Sequence, residues 1–258
     1  MNRVAFSIFN IDVYWYGIIA GLGIVLGVLT ASLLAKKRNK FSYEELLDVV
    51  IVSLPFGIIG ARLYYVLFRW DYYRSRNLGE IIMIRDGGLA FHGGLIMAVL
   101  VGAIYCKRKE LPFGHIMDCS GPALLIGQGL GRWGNFFNQE AHGGEVSKAY
   151  ISHFPSFIQK GMFINGAYYH PTFLYEFLWN MMIFILLLLL WNRYSERPGT
   201  IFCLYLIGYS FGRLWIEGLR TDSLMLGSLR IAQVVSIVGI LTGLIFLIHI
   251  NKPKENAG

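Results

Sequence analysis

The sequence predicts an all-α integral membrane protein: seven transmembrane helices, with the N-terminus outside, the C-terminus cytoplasmic and a small extracytoplasmic cap. Three observations lead there. Of 258 residues, 55% are hydrophobic and only 15% charged, whereas soluble domains carry about 25% charged residues. Apolar runs recur at membrane-spanning length. The lysines gather on one side of those runs.

A helix needs about 20 apolar residues to cross a bilayer core of roughly 30 Å. Such runs lie at 14–35, 46–68, 88–106, 116–134, 172–191, 200–217 and 231–250. The first is too long for a signal-peptide core and lacks a small-residue cleavage site, so it is expected to be retained. Pro55 and Arg62 interrupt the second run, Asp118 and Pro122 the fourth, and Arg213 the sixth. Lys36, Lys37 and Lys40 follow the first run, Lys107 and Lys109 the third, and Lys252 and Lys254 the seventh. Arg38, Arg108, Arg193 and Arg197 join that side, while Lys148 and Lys160 fall opposite. Cytoplasmic loops carry the Lys/Arg excess, which sets the orientation.

Two outer connections, about 69–87 and 141–169, are long enough to hold structure, and the second is expected to form the cap. Without repeats or linkers, residues 1–258 read as a single transmembrane bundle domain. Gly17, Gly21 and Gly27, like Gly127, Gly131 and Gly134, have spacings that suit close helix packing. The net charge of +7 is explained by orienting lysines and anionic headgroups. No separate basic face favours nucleic acid. Cys106, Cys119 and Cys203 lack metal spacing and read as buried small hydrophobes. The histidines have no i, i+4 pairing, so no metal and no cofactor is expected.

The polar residues cluster. Gly131 to Glu140 reads Gly-Arg-Trp-Gly-Asn-Phe-Phe-Asn-Gln-Glu, at the outer edge of the fourth run. On a helix Arg132, Asn135 and Gln139 share one face. Asn138 and Glu140 add an amide and an acid where a simple membrane edge needs neither. Arg213, Glu217 and Arg220, at i, i+4 and i+7, present two cations with one acid between them, and Asp222 follows. One glutamate neutralises one guanidinium, so the pattern invites an anion. His92 lies between Phe91 and a flexible Gly93-Gly94 pair, placed to accept a proton. His170-Pro171 opens a segment running to Tyr175 and Glu176, which capping and anchoring explain. Ionisable groups at membrane depth are costly and mark functional sites. Arginine without a metal points to a phosphate-bearing lipid. A transporter or flippase is the competing class, but no inverted repeat is visible and the polar residues gather at the outer level.

The chain resembles the bacterial prolipoprotein diacylglyceryl transferases over essentially its whole length. The decapeptide Gly131 to Glu140 is similar to the family signature. Supporting matches are Trp15-Tyr16-Gly17, Asp86-Gly87-Gly88, Phe91-His92-Gly93-Gly94, His170-Pro171 with Leu174-Tyr175-Glu176, and Gly208-Tyr209 leading to Arg213, Glu217, Arg220 and Asp222. The resemblance implies a seven-helix enzyme of the bacterial plasma membrane, with its active site toward the outer leaflet. It implies transfer of diacylglycerol from phosphatidylglycerol to the lipobox cysteine of a prolipoprotein signal peptide, releasing glycerol phosphate. On that reading Arg132 and Arg213 clamp the lipid phosphate and His92 is the base for the thiol. Asn135, Asn138 and Glu140 position headgroup and arginine, while Tyr16, Tyr209, Glu217 and Arg220 complete the pocket. Gly143, which follows the signature, permits close backbone approach.

Overall fold

Helices occupy all seven apolar runs in the computed structural model, which describes residues 3–9, 11–38, 40–74, 78–84, 88–194, 196–223 and 225–252. A hairpin of β1 (Val4–Ile8) and β2 (Ile11–Tyr14) leads into α1 (Trp15–Arg38) and α2 (Tyr43–Phe68). Short helices α3 (Trp70–Tyr73) and α4 (Leu78–Ile82) precede α5 (Phe91–Arg108) and α6 (Phe113–Asn138). Next come β3 (Glu145–Val146), α7 (Lys148–Ile151), α8 (Ser156–Gly161), β4 (Phe163–Ile164) and β5 (Ala167–Tyr169). Then follow α9 (Thr172–Leu190), α10 (Thr200–Ile216) and a 3-10 turn, Glu217–Leu219. The hairpin β6 (Met225–Leu226) and β7 (Leu229–Arg230) leads to α11 (Ile231–Asn251).

Among the described residues, four helices are long and apolar enough to cross a membrane: α1, α2, α9 and α11. The other three differ for visible reasons. α10 has only 17 residues, and α5 has 18 with His92 at its start and Lys107 and Arg108 at its end. α6 has 26 residues but exchanges apolar positions for Asp118, Gln128 and Arg132. Polarity is highest in the helix that bears the signature.

The contacts divide the chain into two compact units, Ala35–Ile116 and Met1–Leu34 with Met117–Gly258. In the first, α2 begins with a capping box: Glu45 N–H donates to Ser42 Oγ at 3.1 Å, and Ser42 N–H to Glu45 Oε2 at 2.6 Å. α2 and α5 then meet backbone to backbone. A Cβ added at Gly93 would lie 2.2 Å from Tyr64 Cβ and 2.5 Å from the Gly60 carbonyl oxygen. The pair expected to be a flexible flank of His92 is therefore a packing surface inside the first turn of α5. Arg62, the cation that interrupts the second run, is buried. Its guanidinium donates to the carbonyls of Ile81, Gly88 and Glu80 at 2.8, 2.9 and 2.6 Å, holding the connection after α2. Arg76, Arg85, Asp86 and Gly87 fall outside the described residues.

In the second unit α1 packs on α6. A Cβ at Gly23 would sit 3.3 Å from Gly127 Cα, and one at Gly27 would sit 3.1 Å from the Ala123 carbonyl oxygen. The glycine reading holds for Gly27 and Gly127 but not for Gly17, Gly21 and Gly131, where an added Cβ meets nothing within 4 Å. The 141–169 connection does fold. β5 is the central strand of a three-stranded antiparallel sheet between β3 and β4. Ile151, Ile158 and Met162 bury against Phe136 of α6 and Phe173 of α9. Burying those side chains relieves about 1.5–3 kcal/mol of hydration cost each, which roots the cap on the two helices that carry Arg132 and Glu176.

Candidate active site

Arg132 stands in the last third of α6, about four-fifths shielded from solvent. Its Nη1 donates to Asn135 Oδ1 at 3.3 Å, one turn on. Asn135 Nδ2 donates in turn to Glu140 Oε1 at 2.9 Å, and Asn138 Nδ2 to the same oxygen at 3.1 Å. The two asparagines and the glutamate thus form one relay ending on the arginine. Gln139 does not share this face. The helix ends at Asn138, Gln139 adopts a left-handed φ of 53°, and its Nε2 donates to the Gly161 carbonyl at 2.9 Å. That residue ties the cap instead. Tyr16, at the start of α1, lies against Gly134, where an added Cβ would come within 2.6 Å of its ring. Tyr16 and Tyr209 both interact electrostatically with Arg132.

The centre of the site is a residue that sequence reasoning assigned to anchoring. Glu176, in the second turn of α9, is 4% exposed. Arg132 Nε lies 3.0 Å from its Oε2, Arg213 Nη1 2.8 Å from its Oε1, and Arg220 Nη1 3.8 Å from Oε1. Arg213 Nη2 also meets Glu217 Oε2 at 2.5 Å. The uncompensated cation inferred from Arg213, Glu217 and Arg220 is therefore partnered by α9. Its signal in the sequence was an acid inside a strongly apolar helix, since such a group is buried only when paired.

Arg220 closes one edge of the cluster. Its Nε and Nη2 grip both oxygens of Asp222 at 3.0 and 2.9 Å. Partial burial raises the Asp222 pKa, but the hydrogen bonds and charge of Arg220 lower it further, leaving the carboxyl below its usual range. Arg230 Nη1 reaches the Glu217 carbonyl, and Gln233 Nε2 donates to the Leu214 carbonyl at 3.0 Å, so the start of α11 fixes the end of α10.

Gly143 explains how these segments meet. Its N–H donates to the His170 carbonyl at 3.1 Å, His170 N–H to the Gly144 carbonyl at 3.0 Å, and Gly144 N–H to the Leu219 carbonyl at 3.2 Å. Gly143 also bridges Arg220. A Cβ there would lie 2.6 Å from His170 Cβ and 3.0 Å from the Leu219 carbonyl oxygen. Only hydrogen fits, and the approach delivers Glu176 and Arg220 to the same point.

The structure thus joins Arg132, Asn135, Asn138, Glu140, Arg213, Glu217 and Arg220, with Tyr16 and Tyr209 facing Arg132. His92 is placed in the first turn of α5, where Ala90 N–H donates to the Ala61 carbonyl at 3.0 Å. Its side chain lies outside the described residues. Chemically, guanidiniums from two helices already converge on one carboxylate, a geometry suited to sharing an oxyanion. Cys106, Cys119 and Cys203 are buried free thiols on other parts of the helices, as the sequence implied.

The family described as "Prolipoprotein diacylglyceryl transferase" matches residues 3–249. The phosphatidylglycerol–prolipoprotein diacylglyceryl transferase of Clostridium novyi (strain NT) is 54% identical, covering 99% of this chain and 98% of its own length. That of Clostridium botulinum (strain Langeland / NCTC 10281 / Type F) is 48% identical over 99% of both chains. Phosphatidylglycerol–prolipoprotein diacylglyceryl transferase 1 of Clostridium perfringens (strain 13 / Type A) is 51% identical over 97% of this chain and 95% of its own. With the match running from the first strand into the last turn of α11, the chain belongs to the prolipoprotein diacylglyceryl transferase family.

Proposed function

We propose that this chain transfers the diacylglyceryl group of phosphatidylglycerol to the lipobox cysteine thiol of a prolipoprotein, the first step of bacterial lipoprotein modification. The observation that carries the reading is the convergence of Arg132 and Arg213 on Glu176. Membership of the family and relatives named for these two substrates support it.

The substrate thiol loses its proton and the sulfur attacks the glyceryl carbon that bears the phosphate. A C–S bond forms as the C–O bond breaks, and the electron pair leaves on the phosphate of glycerol phosphate. The phosphate passes from a singly charged diester toward a doubly charged monoester. Fixed guanidiniums stabilise that later state more than the earlier one, which is what catalysis requires. Arg132 and Arg213 act on the phosphate, with Glu176 and Glu217 holding them in place beforehand. Asn135, Asn138 and Glu140 orient Arg132 and the glycerol headgroup, and Tyr16, Tyr209 and Arg220 line the same pocket. His92 accepts the thiol proton, a task suited to an imidazole, which can take up a proton and give it back.

The chain resides in the plasma membrane with seven spans, its N-terminus and active site on the outer side. The lysine distribution supports that orientation. The test is mass spectrometry of a lipobox peptide incubated with purified protein and phosphatidylglycerol. A diacylglyceryl mass gain on the cysteine, with release of glycerol phosphate, is expected. Lipid movement without an adduct would replace this reading with a transport function.

A further inference from the structure

At the far end of α6 from the arginine site, Asp118 is fully buried and belongs to no part of the pocket described above. Its carboxylate accepts two backbone hydrogen bonds from the start of α10: Gly199 N–H to Oδ2 and Phe202 N–H to Oδ1, both 3.0 Å. The opening N–H groups of a helix have no partner within it. α10 begins at a glycine with φ 90° and has no capping side chain of its own. The cap therefore comes from a neighbouring helix, with both side-chain oxygens of Asp118 occupied.

Two further contacts run up the same pair of helices. A Cβ added at Gly121 would lie 3.0 Å from Tyr205 Cβ, and Gln128 Nε2 donates to Tyr205 Oη at 2.9 Å. Above them stand Arg132 on α6 and Arg213 on α10. Fourteen residues separate Asp118 from Arg132, and fourteen separate Gly199 from Arg213. Each arm is about 21 Å long at 1.5 Å per residue. Both arms run in the same chain direction from the shared anchor, and both end at the Glu176 carboxylate.

We infer that Asp118 is a positioning residue for the transfer reaction, pinning the start of α10 to α6 so that Arg213 arrives level with Arg132. The inference rests on the reading that these two arginines act on one phosphate. Helices joined only by apolar side chains can slide by fractions of a turn at little cost, whereas two directed hydrogen bonds to one carboxylate define a height. A displacement of about 1 Å at reacting groups can cost about 100-fold in rate. The effect belongs in the chemical step, because a raised or lowered guanidinium still attracts an anionic headgroup but meets the leaving phosphate poorly.

The experiment compares Asp118→Asn and Asp118→Ala with the parent protein and with Arg213→Ala, all purified, using the lipobox-peptide assay. Folded yield and thermal stability are measured beside kcat and the KM for phosphatidylglycerol. Asp118→Asn keeps the volume and one acceptor but turns an amide N–H toward a backbone N–H. The expected result is a fall in kcat of about tenfold for Asn and about 100-fold for Ala, per folded enzyme, with KM changed less than about threefold. Asp118→Asn with a kcat within about twofold of the parent overturns the proposal. So does a loss of activity that merely tracks the loss of folded protein. Should Asp118→Ala fail to accumulate, Asp118→Asn decides. Full transfer by Arg213→Ala would instead defeat the phosphate-clamp reading, whereas an inactive Arg213→Ala beside a normal Asp118→Asn defeats only the role of Asp118.

Discussion

Arg132 Nε and Arg213 Nη1 hold opposite oxygens of the Glu176 carboxylate, at 3.0 and 2.8 Å. One buried acid from α9 is therefore what keeps the cations of α6 and α10 from repelling each other. Removing one partner of a buried pair costs about 3–5 kcal/mol because the other charge is left stranded. Glu176→Gln is expected to lower the thermal midpoint and to reduce diacylglyceryl transfer by more than about tenfold. Differential scanning fluorimetry and the peptide mass assay measure both. Unchanged stability with unchanged transfer would remove Glu176 from the centre of the site.

Loss of either guanidinium proposed to clamp the phosphate is expected to have a larger kinetic effect. Deleting a donor aimed at developing charge typically costs about 2.7–4 kcal/mol. Arg132→Ala and Arg213→Ala should each lose at least about 100-fold in kcat/KM by that magnitude. Arg213→Lys should also fail, since Arg213 uses two nitrogens toward two different carboxylates and an ammonium cannot span them. Near-normal transfer by both alanine variants would reject the clamp.

His92 is distinguished by its pH profile. Replacing it with glutamine removes the imidazole that would accept the proton while keeping a polar side chain of similar length. His92→Gln is expected to depress transfer over about pH 6 to 9, most strongly at the lower end, where the thiol itself is least ionised. A rate that stays high and follows the parent profile would show that another group, or the solvent, takes the proton.

Gly143→Ala tests the backbone junction. The added methyl would start 2.6 Å from His170 Cβ and 3.0 Å from the Leu219 carbonyl, so one strand must move. Overpacking of this kind costs about 1–3 kcal/mol. The displacement falls on the segments bearing Glu176 and Arg220, so transfer should drop further than stability does. Equal activity in the alanine variant would mean that the junction yields without disturbing the arginines.

Asp222 supplies a pH signature. Its carboxyl lies below the usual range, since Arg220 outweighs the opposing effect of partial burial. The folded state thus binds the proton less readily than the unfolded state. The contribution is fully present above the unfolded value near 3.9 and is lost as pH falls through the lower, folded value. Thermal denaturation from about pH 6 down to pH 3 should show the parent losing its advantage over Asp222→Asn only at the acidic end. A parent–variant difference that is constant across that range would contradict the coupling.

The helices were legible because hydrocarbon imposes a length and a composition, and all seven apolar runs are helical at close to the expected boundaries. The relay from Glu140 to Arg132 was legible in kind, since its members are neighbours along one helix end. Gln139 was misplaced because periodicity assumes that the helix continues, and the left-handed turn after Asn138 has no counterpart in spacing. Glu176 was underweighted because its partners are 44, 37 and 44 positions away, at Arg132, Arg213 and Arg220. Helical spacing speaks only of near neighbours. The packing role of Gly93 was hidden for the same reason, as its reason for being small sits on α2 at Gly60.

The ladder around Gly143 also marks off one folded segment of the chain. Residues 147–166 hang between β3 and β5, which pair just outside the Gly143–His170–Leu219 clasp. Exchanging that module removes Ile151, Ile158 and Met162 from their places against Phe136 and Phe173, so a substitute must refill that packing to keep α6 and α9 where they are. Chimeras cut at Val146 and Ala167 must therefore bring an apolar core of matching volume if the arginine cluster is to stay undisturbed.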